Sequence, residues 1–171
     1  MSIKFLAMCI ALIGAFFSVF SAELNEVKNW KLIGAIPFRA TQNEEDHTIC
    51  FEFENSSGEY KDIYPGISFQ QGELADAVAI RFDMKVVAQD GWVGGSGRII
   101  TPKQEKHSGS FSYQPPQDGK WRTITVKMEG VNFDPAKITS IQISVGGKCR
   151  KLSCYLKNIQ ILDKNGKAKE F

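Results

Sequence analysis

Two carboxylates placed two residues apart, Glu52 and Glu54, come closest to a catalytic arrangement in this sequence. They belong to the alternating segment Thr48–Glu54, so in a strand both point to the same face, about 7 Å apart. Acids at such a separation can cleave glycosidic bonds. Alternating acids are also common on solvated strand faces, and neither His47 nor His107 stands beside a nucleophile or a metal-ligand pattern. We therefore predict that the protein is not an enzyme, with a glycan-active enzyme as the lesser alternative.

Trp92 stands in a glycine-rich stretch, Ala88–Ser110, which contains one short apolar segment, Arg98–Thr101. So many glycines argue against a helix, and the stretch is too long for a tight turn. We expect a pair of strands with extended loops. A large aromatic side chain among glycines serves either as a contact residue for a ligand or as an anchor turned into the core. The sequence leaves both roles open.

The cysteines after residue 22 are Cys50, Cys149 and Cys154. Cys149 ends one predicted strand and Cys154 begins the next, so the connecting loop brings them within reach of each other. We predict a disulfide between them in an oxidising compartment. A CxxxxC spacing without a nearby His or a second Cys pair is not that of a zinc site. Cys50 has no adjacent base and is interpreted as a small residue in a strand.

The first 22 residues have the pattern of a secretory signal peptide. Lys4 precedes a near-continuous apolar run, Phe5–Phe20, which is followed by the small residues Ser21 and Ala22. A membrane-spanning anchor is the alternative, since the run approaches the roughly 17 residues needed to cross a bilayer. We predict that segment 1–22 is removed, that the protein is secreted or periplasmic, and that it has no membrane association after removal.

The remaining chain has almost no net charge. Lys4 is the only charged residue of the first 22, so the 21 Lys and Arg residues of the sequence fall by one and stand against 19 Asp and Glu. Binding to nucleic acid needs a concentrated basic face, and binding to anionic membranes needs a basic cluster. We expect neither class of partner.

Short alternating segments, separated by Gly, Asp-Pro or polar clusters, make up most of the sequence and indicate β-strands. In Val78–Val87, apolar residues alternate with charged ones, as in a sheet that is covered on one side only, and this favours antiparallel pairing. The other predicted strands are Thr48–Glu54, Gly66–Phe69, Arg98–Thr101, Ser110–Tyr113, Arg122–Met128, Ile138–Val145 and Tyr155–Leu162.

The predicted fold class is all-β: an antiparallel β-sandwich or jelly roll in a single domain over residues 23–163. Helical periodicity is confined to one turn at Asp134–Lys137, where Asp134 is placed to cap the turn. Trp30 and Trp121 are predicted to pack in the core. The polar segment 164–171 is expected to be a loose tail.

Several segments match a known fold in the same order along the chain. They are Tyr64–Phe69, Ala79–Asp83, Gly119–Trp121, Phe133–Pro135, Ile138–Ile143 and the closing segment Tyr155–Ile161. In this order they resemble the galactose-binding-like β-sandwich of non-catalytic carbohydrate-binding modules, and also the related complex I intermediate-associated domain. The resemblance implies an exported protein that binds a poly- or oligosaccharide without cleaving it.

In a site of that kind an aromatic ring lies against the apolar face of a sugar while polar groups reach its hydroxyls. The candidate carbohydrate-binding residues are Trp92, Tyr64, Tyr60, Asp90 and Arg98. The two tyrosines have an alternative role as caps of the sandwich edge. The alternative function is a structural or protein-interaction domain of the cell envelope with a protein partner. It is considered because carbohydrate-binding modules usually accompany an enzyme, whereas a single domain is predicted here.

The resemblance also raises the question of a calcium ion. In such modules the last strand often carries an Asp before Asn-Ile that helps to hold structural calcium, but here Lys157 precedes Asn158. A lysine ammonium repels a divalent cation. The acidic run from Glu44 to Asp46 offers hard oxygen ligands, although such runs are commonly solvated loop charge. We predict no cofactor and no metal site, with structural calcium as the alternative.

Overall fold

The fold is taken from a computed structural model of the chain, which describes residues 23–102, 109–128 and 134–171. The predicted signal peptide, His107 and Phe133 lie outside the described residues. Two antiparallel sheets, one of six strands and one of five, form a sandwich. The prediction of an all-β sandwich is confirmed. The three helical turns of the described ranges are all too short to cross a membrane.

The strands are β1 (Trp30–Lys31), β2 (Arg39–Gln42), β3 (Ile49–Glu54), β4 (Lys61–Ile63), β5 (Gly66–Ser68), β6 (Ala77–Gln89), β7 (Val93–Ile100), β8 (Gly109–Tyr113), β9 (Arg122–Lys127), β10 (Ser140–Gly147) and β11 (Lys151–Asp163). Single 3-10 turns occupy Glu23–Asn25, Val27–Asn29 and Pro135–Lys137. The six-stranded sheet has the order β1-β5-β10-β7-β8, with β4 also paired to β10. The five-stranded sheet has the order β2-β3-β11-β6-β9.

Strand alternation builds the core between the two sheets. In β3, Ile49 and Phe51 are completely buried while Glu54 is exposed. In β6 the predicted inward set holds from Ile80 to Val86. Val78 is only half-buried, because the register of β6 against β11 shifts near this end of the strand.

The capping prediction is confirmed, and β11 has an irregularity that the sequence analysis did not predict. Asp134 caps the turn Pro135–Lys137, and its side chain accepts a hydrogen bond from the backbone N–H of Ala136 at 3.0 Å. Asn158 has φ of 52° at a register shift of β11, a left-handed conformation that Asn tolerates better than most residues. Its amide donates to Asp83 Oδ2 at 2.8 Å, which ties the irregular strand to β6.

β7 is longer than the sequence predicts, because the glycines belong to the strand rather than to loops. β7 pairs with β10 along its whole length. Each of three glycines makes room for an aromatic ring. An added Cβ would lie 1.9 Å from Phe111 at Gly97, 2.4 Å from Tyr113 at Gly95 and 2.3 Å from Trp92 at Gly94. The glycine-rich composition therefore reflects close packing of rings on a strand.

The three tryptophans have different environments. Trp30 is buried as predicted, with 5% exposure, and its indole N–H donates to the carbonyl of Leu24 at 2.9 Å. Trp121 is 37% exposed, so its prediction as a core residue is wrong. The inward positions of β9 are Ile124 and Val126, and Trp121 falls on the opposite, outward alternation.

The predicted disulfide is absent, since Cys149 and Cys154 are both free thiols. Cys154 lies inside β11 opposite Val86, whereas Cys149 precedes the strand. Cys154 lies three positions into the strand, about 10 Å along it from Lys151, so it does not border the connecting loop as predicted. The sequence did not reveal that β11 begins ahead of Cys154.

Segment 164–171 contacts the domain rather than extending away from it. Ala168 forms an antiparallel bridge with Leu162, and the ring of Phe171 lies 5.6 Å from that of Phe69. The polar composition suggested a loose tail, but the terminal aromatic residue gives the segment an apolar contact.

Candidate functional site

The outer face of the six-stranded sheet has a floor of small polar side chains. Alternate residues of β7 point outward, so Ser96 and Arg98 lie opposite Ser144 and Gln142 of β10. On the other side of β7, Ser112 and Ser110 of β8 lie opposite the same two residues. Ser96, Ser110 and Ser112, with Tyr64 and Arg98, border a groove of about 470 Å³, whereas Ser144 is buried. The groove offers hydroxyl groups close to an open strand surface.

Trp92 stands at one end of this face. Its ring covers Gly94, where a Cβ would lie 2.3 Å from the ring atom Cη2, and its side chain is 57% exposed. The ring of Tyr60, itself 45% exposed, lies beside it with the centroids 6.4 Å apart and the planes at 36°. Two neighbouring aromatic side chains thus form an exposed platform.

An Asp-Gly turn brings Trp92 to this position. Asp90 and Gly91 both have positive φ, of 57° and 116°, and they connect β6 to β7. Only glycine suits the second position, because a Cβ there would lie 2.7 Å from the carbonyl oxygen of Lys148. The backbone N–H of Lys148 also donates to the carbonyl of Trp92 at 3.3 Å.

Tyr64 and Arg98 form a second contact in the groove. The guanidinium carbon of Arg98 lies 3.8 Å from the centroid of the Tyr64 ring. The Tyr64 hydroxyl donates a hydrogen bond to Asp62. Burial, followed by this hydrogen bond, raises the pKa of Tyr64. The tyrosine therefore stays a neutral donor at neutral pH, and the ring holds Arg98 over the sheet.

The structure brings four of the five predicted site residues to one sheet face. Tyr60 and Tyr64 flank β4, where they join Trp92 at one end and Arg98 in the groove. Asp90 lies in the turn before Trp92, and the described contacts do not connect it with the other four. Sequence reasoning missed the serine floor and Asp62, because residues from separate strands become neighbours only through the pairing register.

The candidate catalytic pair lies on the opposite sheet. Arg39 Nη2 is 2.6 Å from Glu52 Oε2, and the Ser153 hydroxyl donates to Glu52 Oε1 at 3.0 Å. These hydrogen bonds, that of Arg39 first, lower the pKa of Glu52. Glu54 forms a longer ion pair with Lys151, at 3.8 Å. A general acid for glycoside cleavage needs a raised pKa, and the environment of Glu52 does the reverse.

Four side chains meet on the outer face of this same sheet, a grouping that the sequence analysis did not predict. Lys85 Nζ lies 4.2 Å from the ring centroid of Tyr155 and 5.3 Å from that of Trp121. Lys157 Nζ lies 4.6 Å from the centroid of Trp121. We call Lys85, Trp121, Tyr155 and Lys157 the basic aromatic cluster. The outward alternation of β6 and β11 contained a signal for it, but the misplacement of Trp121 in the core concealed it.

Asp46, one acid of the run considered for calcium, has other partners. Asp46 accepts hydrogen bonds from the Thr48 backbone and hydroxyl, and its carboxylate is 3.5 Å from Lys157 Nζ. Within the described ranges, no three His, Cys, Asp or Glu side chains are grouped so as to hold a metal ion. Lys157, which stands where carbohydrate-binding modules often have an aspartate, thus pairs with Asp46 of the acidic run.

Comparison with solved structures points to β-sandwich modules. A family 11 carbohydrate-binding module from Clostridium thermocellum, in complex with a β-1,3-1,4-mixed-linked tetrasaccharide, has a TM-score of 0.56 at 15% identity over 84% of this chain and 91% of that one. A structure of promiscuous carbohydrate-binding modules of the β-sandwich superfamily has a TM-score of 0.57 at 12% identity, over 85% of this chain and 62% of that one.

A carbohydrate-binding module specific for non-crystalline cellulose, CBM28, has a TM-score of 0.52 at 8% identity, over 78% of this chain and 88% of that one. No family model matches the sequence, and no curated protein is similar to it. At these identities the likeness concerns the fold. The chain has the β-sandwich fold of carbohydrate-binding modules.

Proposed function

We propose that the protein binds a poly- or oligosaccharide, without cleaving it, on the outer face of the six-stranded sheet. The observation that carries the proposal is the exposed pair formed by Trp92 and Tyr60 at the end of a serine-lined groove. Aromatic rings bury the apolar faces of sugar rings, and hydroxyl and guanidinium groups can exchange hydrogen bonds with sugar hydroxyls. The fold shared with carbohydrate-binding modules supports the same assignment.

Each part of the site has a distinct role in the proposal. Trp92 and Tyr60 provide the platform for one sugar ring. Arg98, held over the sheet by Tyr64, donates hydrogen bonds further along the groove. Asp90 shapes the turn that presents Trp92. The sandwich positions these groups before the ligand arrives, which limits the entropy lost on binding.

The test is the variant Trp92→Ala. A glycan array first identifies a polysaccharide that retains the protein, and affinity electrophoresis then compares the variants. We expect Trp92→Ala to weaken retention at least about tenfold, or about 1.4 kcal/mol, and to leave the thermal midpoint nearly unchanged because the side chain is 57% exposed. Val87→Ala, which truncates an exposed side chain on the other sheet, is the matched control.

Unaltered retention of Trp92→Ala would reject this site. A large fall of its thermal midpoint would make Trp92 a structural residue instead. Trp92→Phe, which keeps an aromatic ring, is expected to retain part of the binding. A glycan array without a single bound glycan would reject the proposed function itself.

A second candidate is a structural or protein-interaction domain of the cell envelope. It is favoured by two neighbouring exposed apolar side chains, Leu32 and Ile33, with 50% and 43% exposure. Co-purification of one protein partner, lost in the double variant Leu32→Ser and Ile33→Ser, would support it. Export is part of both proposals and rests on the segment from Lys4 to Ala22. Amino-terminal sequencing of the secreted or periplasmic protein tests it.

A further inference from the structure

The basic aromatic cluster occupies the outer face of the five-stranded sheet. Tyr155 of β11 pairs directly with Lys85 of β6, and their neighbours Leu156 and Met84 are buried. Both side chains of the pair therefore point outward. Trp121, the residue just before β9, completes the row on the other side of Lys85. Strand register, rather than chance contact of flexible side chains, thus places the ammonium group between two rings.

The charges around the cluster are unevenly paired. Lys157 has Asp46 at 3.5 Å and lies opposite Asp83 in the strand register, and Glu52 has Arg39 at 2.6 Å. Among the described residues, Lys85 forms no ion pair and instead lies against the two rings. Lys85 is thus the cation of the cluster without a carboxylate in direct contact.

A groove of about 620 Å³ adjoins the cluster. Lys85, Trp121 and Tyr155 form one side of it, and Thr41, Asn43 and the carboxylates Asp46 and Glu52 form the other. Asp46 faces Lys157 and Glu52 faces Arg39, so both carboxylates have a cation of their own. A ligand in this groove meets two ring faces with an ammonium group between them. The ring faces suit a saccharide, and the ammonium group favours an anionic substituent next to the sugar ring.

We propose that this groove is a second binding site, which takes a saccharide bearing a carboxylate, such as a chain containing uronic acid residues. The ligand carboxylate lies against Lys85, and the ring that carries it lies over Trp121 or Tyr155. A peptide rich in acidic residues would satisfy the ammonium group but has no sugar ring to lie against Trp121 and Tyr155. This site is separate from the groove at Trp92 and does not depend on it.

The test uses isothermal titration calorimetry at low salt with three named probes: oligogalacturonate, alginate oligomers and hyaluronan oligomers. We expect at least one probe to bind, and binding to weaken at least tenfold in Lys85→Met, which removes the charge but keeps most of the side chain. Lys85→Arg is expected to bind nearly as well as the parent protein. Added salt should weaken binding, since the contact is between charges near the surface.

Lys151→Met is the matched control, because it removes one positive charge from the same sheet face outside the groove. Equal weakening in Lys151→Met and Lys85→Met would reduce the effect to net charge and overturn the proposal. Binding of none of the three probes would overturn it as well. The proposal would also be overturned if Trp92→Ala abolished binding of the probe while Lys85→Met left that binding unchanged. A third contradicting result would be that pentaglutamate binds in a Lys85-dependent way and the saccharides do not.

Discussion

Among single residues, Arg39 lowers the pKa of Glu52, one of the two acids considered for catalysis. Arg39 Nε donates to Glu52 Oε2 at 2.8 Å, and this hydrogen bond is the first cause of the lowered pKa of Glu52. We expect Arg39→Met to raise the pKa of Glu52 toward its ordinary range, as measured by NMR titration of the carboxyl carbon. Because the folded-state pKa is below the unfolded one, the stabilisation is present above the unfolded pKa and is lost as the pH falls through the folded pKa.

Lys61→Met, which removes a positive charge from the opposite sheet, is the control and should leave the Glu52 pKa in place. An unchanged pKa in Arg39→Met would mean that the ion pair does not persist in solution. The same interaction bears on the enzyme alternative. A lowered pKa is the reverse of what a general acid needs, so we expect Glu52→Gln to leave unchanged any glycan cleavage observed with the parent protein.

At the level of the strand, the glycines of β7 have two separate functions. Gly97 accommodates Phe111, which is 9% exposed, whereas Gly94 accommodates the exposed ring of Trp92. We expect Gly97→Ala to destabilise the fold by about 1–3 kcal/mol, because a buried ring cannot move aside without disturbing the core. Chemical denaturation measures this loss.

For Gly94→Ala we expect a loss of saccharide binding rather than a loss of stability. The Trp92 ring can rotate away from a new Cβ, so stability should change little, but the platform for the sugar is displaced. We expect saccharide retention to weaken while the unfolding free energy stays within about 0.5 kcal/mol of the parent value. The two variants control for each other, and equal losses of stability would contradict the separation of roles.

The same strand shows what the sequence could and could not predict. Strands such as β3 were found because a buried and an exposed side chain alternate there. In β7, the glycines have no side chains and therefore show no alternation of buried and exposed residues. The strand is recognised only in the structure, where Phe111 and Tyr113 pack on these glycines. The prediction of a disulfide was wrong for a related reason. β11 begins three residues before Cys154, and nothing in the sequence of those residues marks the start of a strand.

The candidate site was predictable by residue type but not by arrangement. Trp92 stood out because a large ring among glycines has little else to pack on, and Arg98 because it can donate to hydroxyls. The serine floor depends on register: Ser96 meets Ser112 and Ser144 only after β8 and β10 pair with β7. Trp121 shows the converse error, because its outward orientation depends on where β9 begins.

In the whole molecule, the core separates two outer faces of different chemistry. The six-stranded sheet presents serines, one arginine and the pair of Trp92 and Tyr60. The five-stranded sheet presents the basic aromatic cluster and its ion pairs. Substitutions on one face share no partner with those on the other, so their effects on stability and binding should add. Under the two proposals, each face takes a ligand of its own.

The C-terminal segment closes one end of this sandwich. The backbone N–H of Lys169 donates to the carbonyl of Ile161 at 2.8 Å, and Phe171 packs on Phe69. We expect Phe171→Ala to lower the unfolding free energy by about 1–2 kcal/mol, from lost burial and a lost aromatic pair. Calorimetry should show a lower thermal midpoint for Phe171→Ala and an unchanged midpoint for Lys164→Ala, which alters an exposed residue and serves as the control. Equal midpoints in both variants would mean that the tail does not hold this contact in solution, as its polar composition alone suggests.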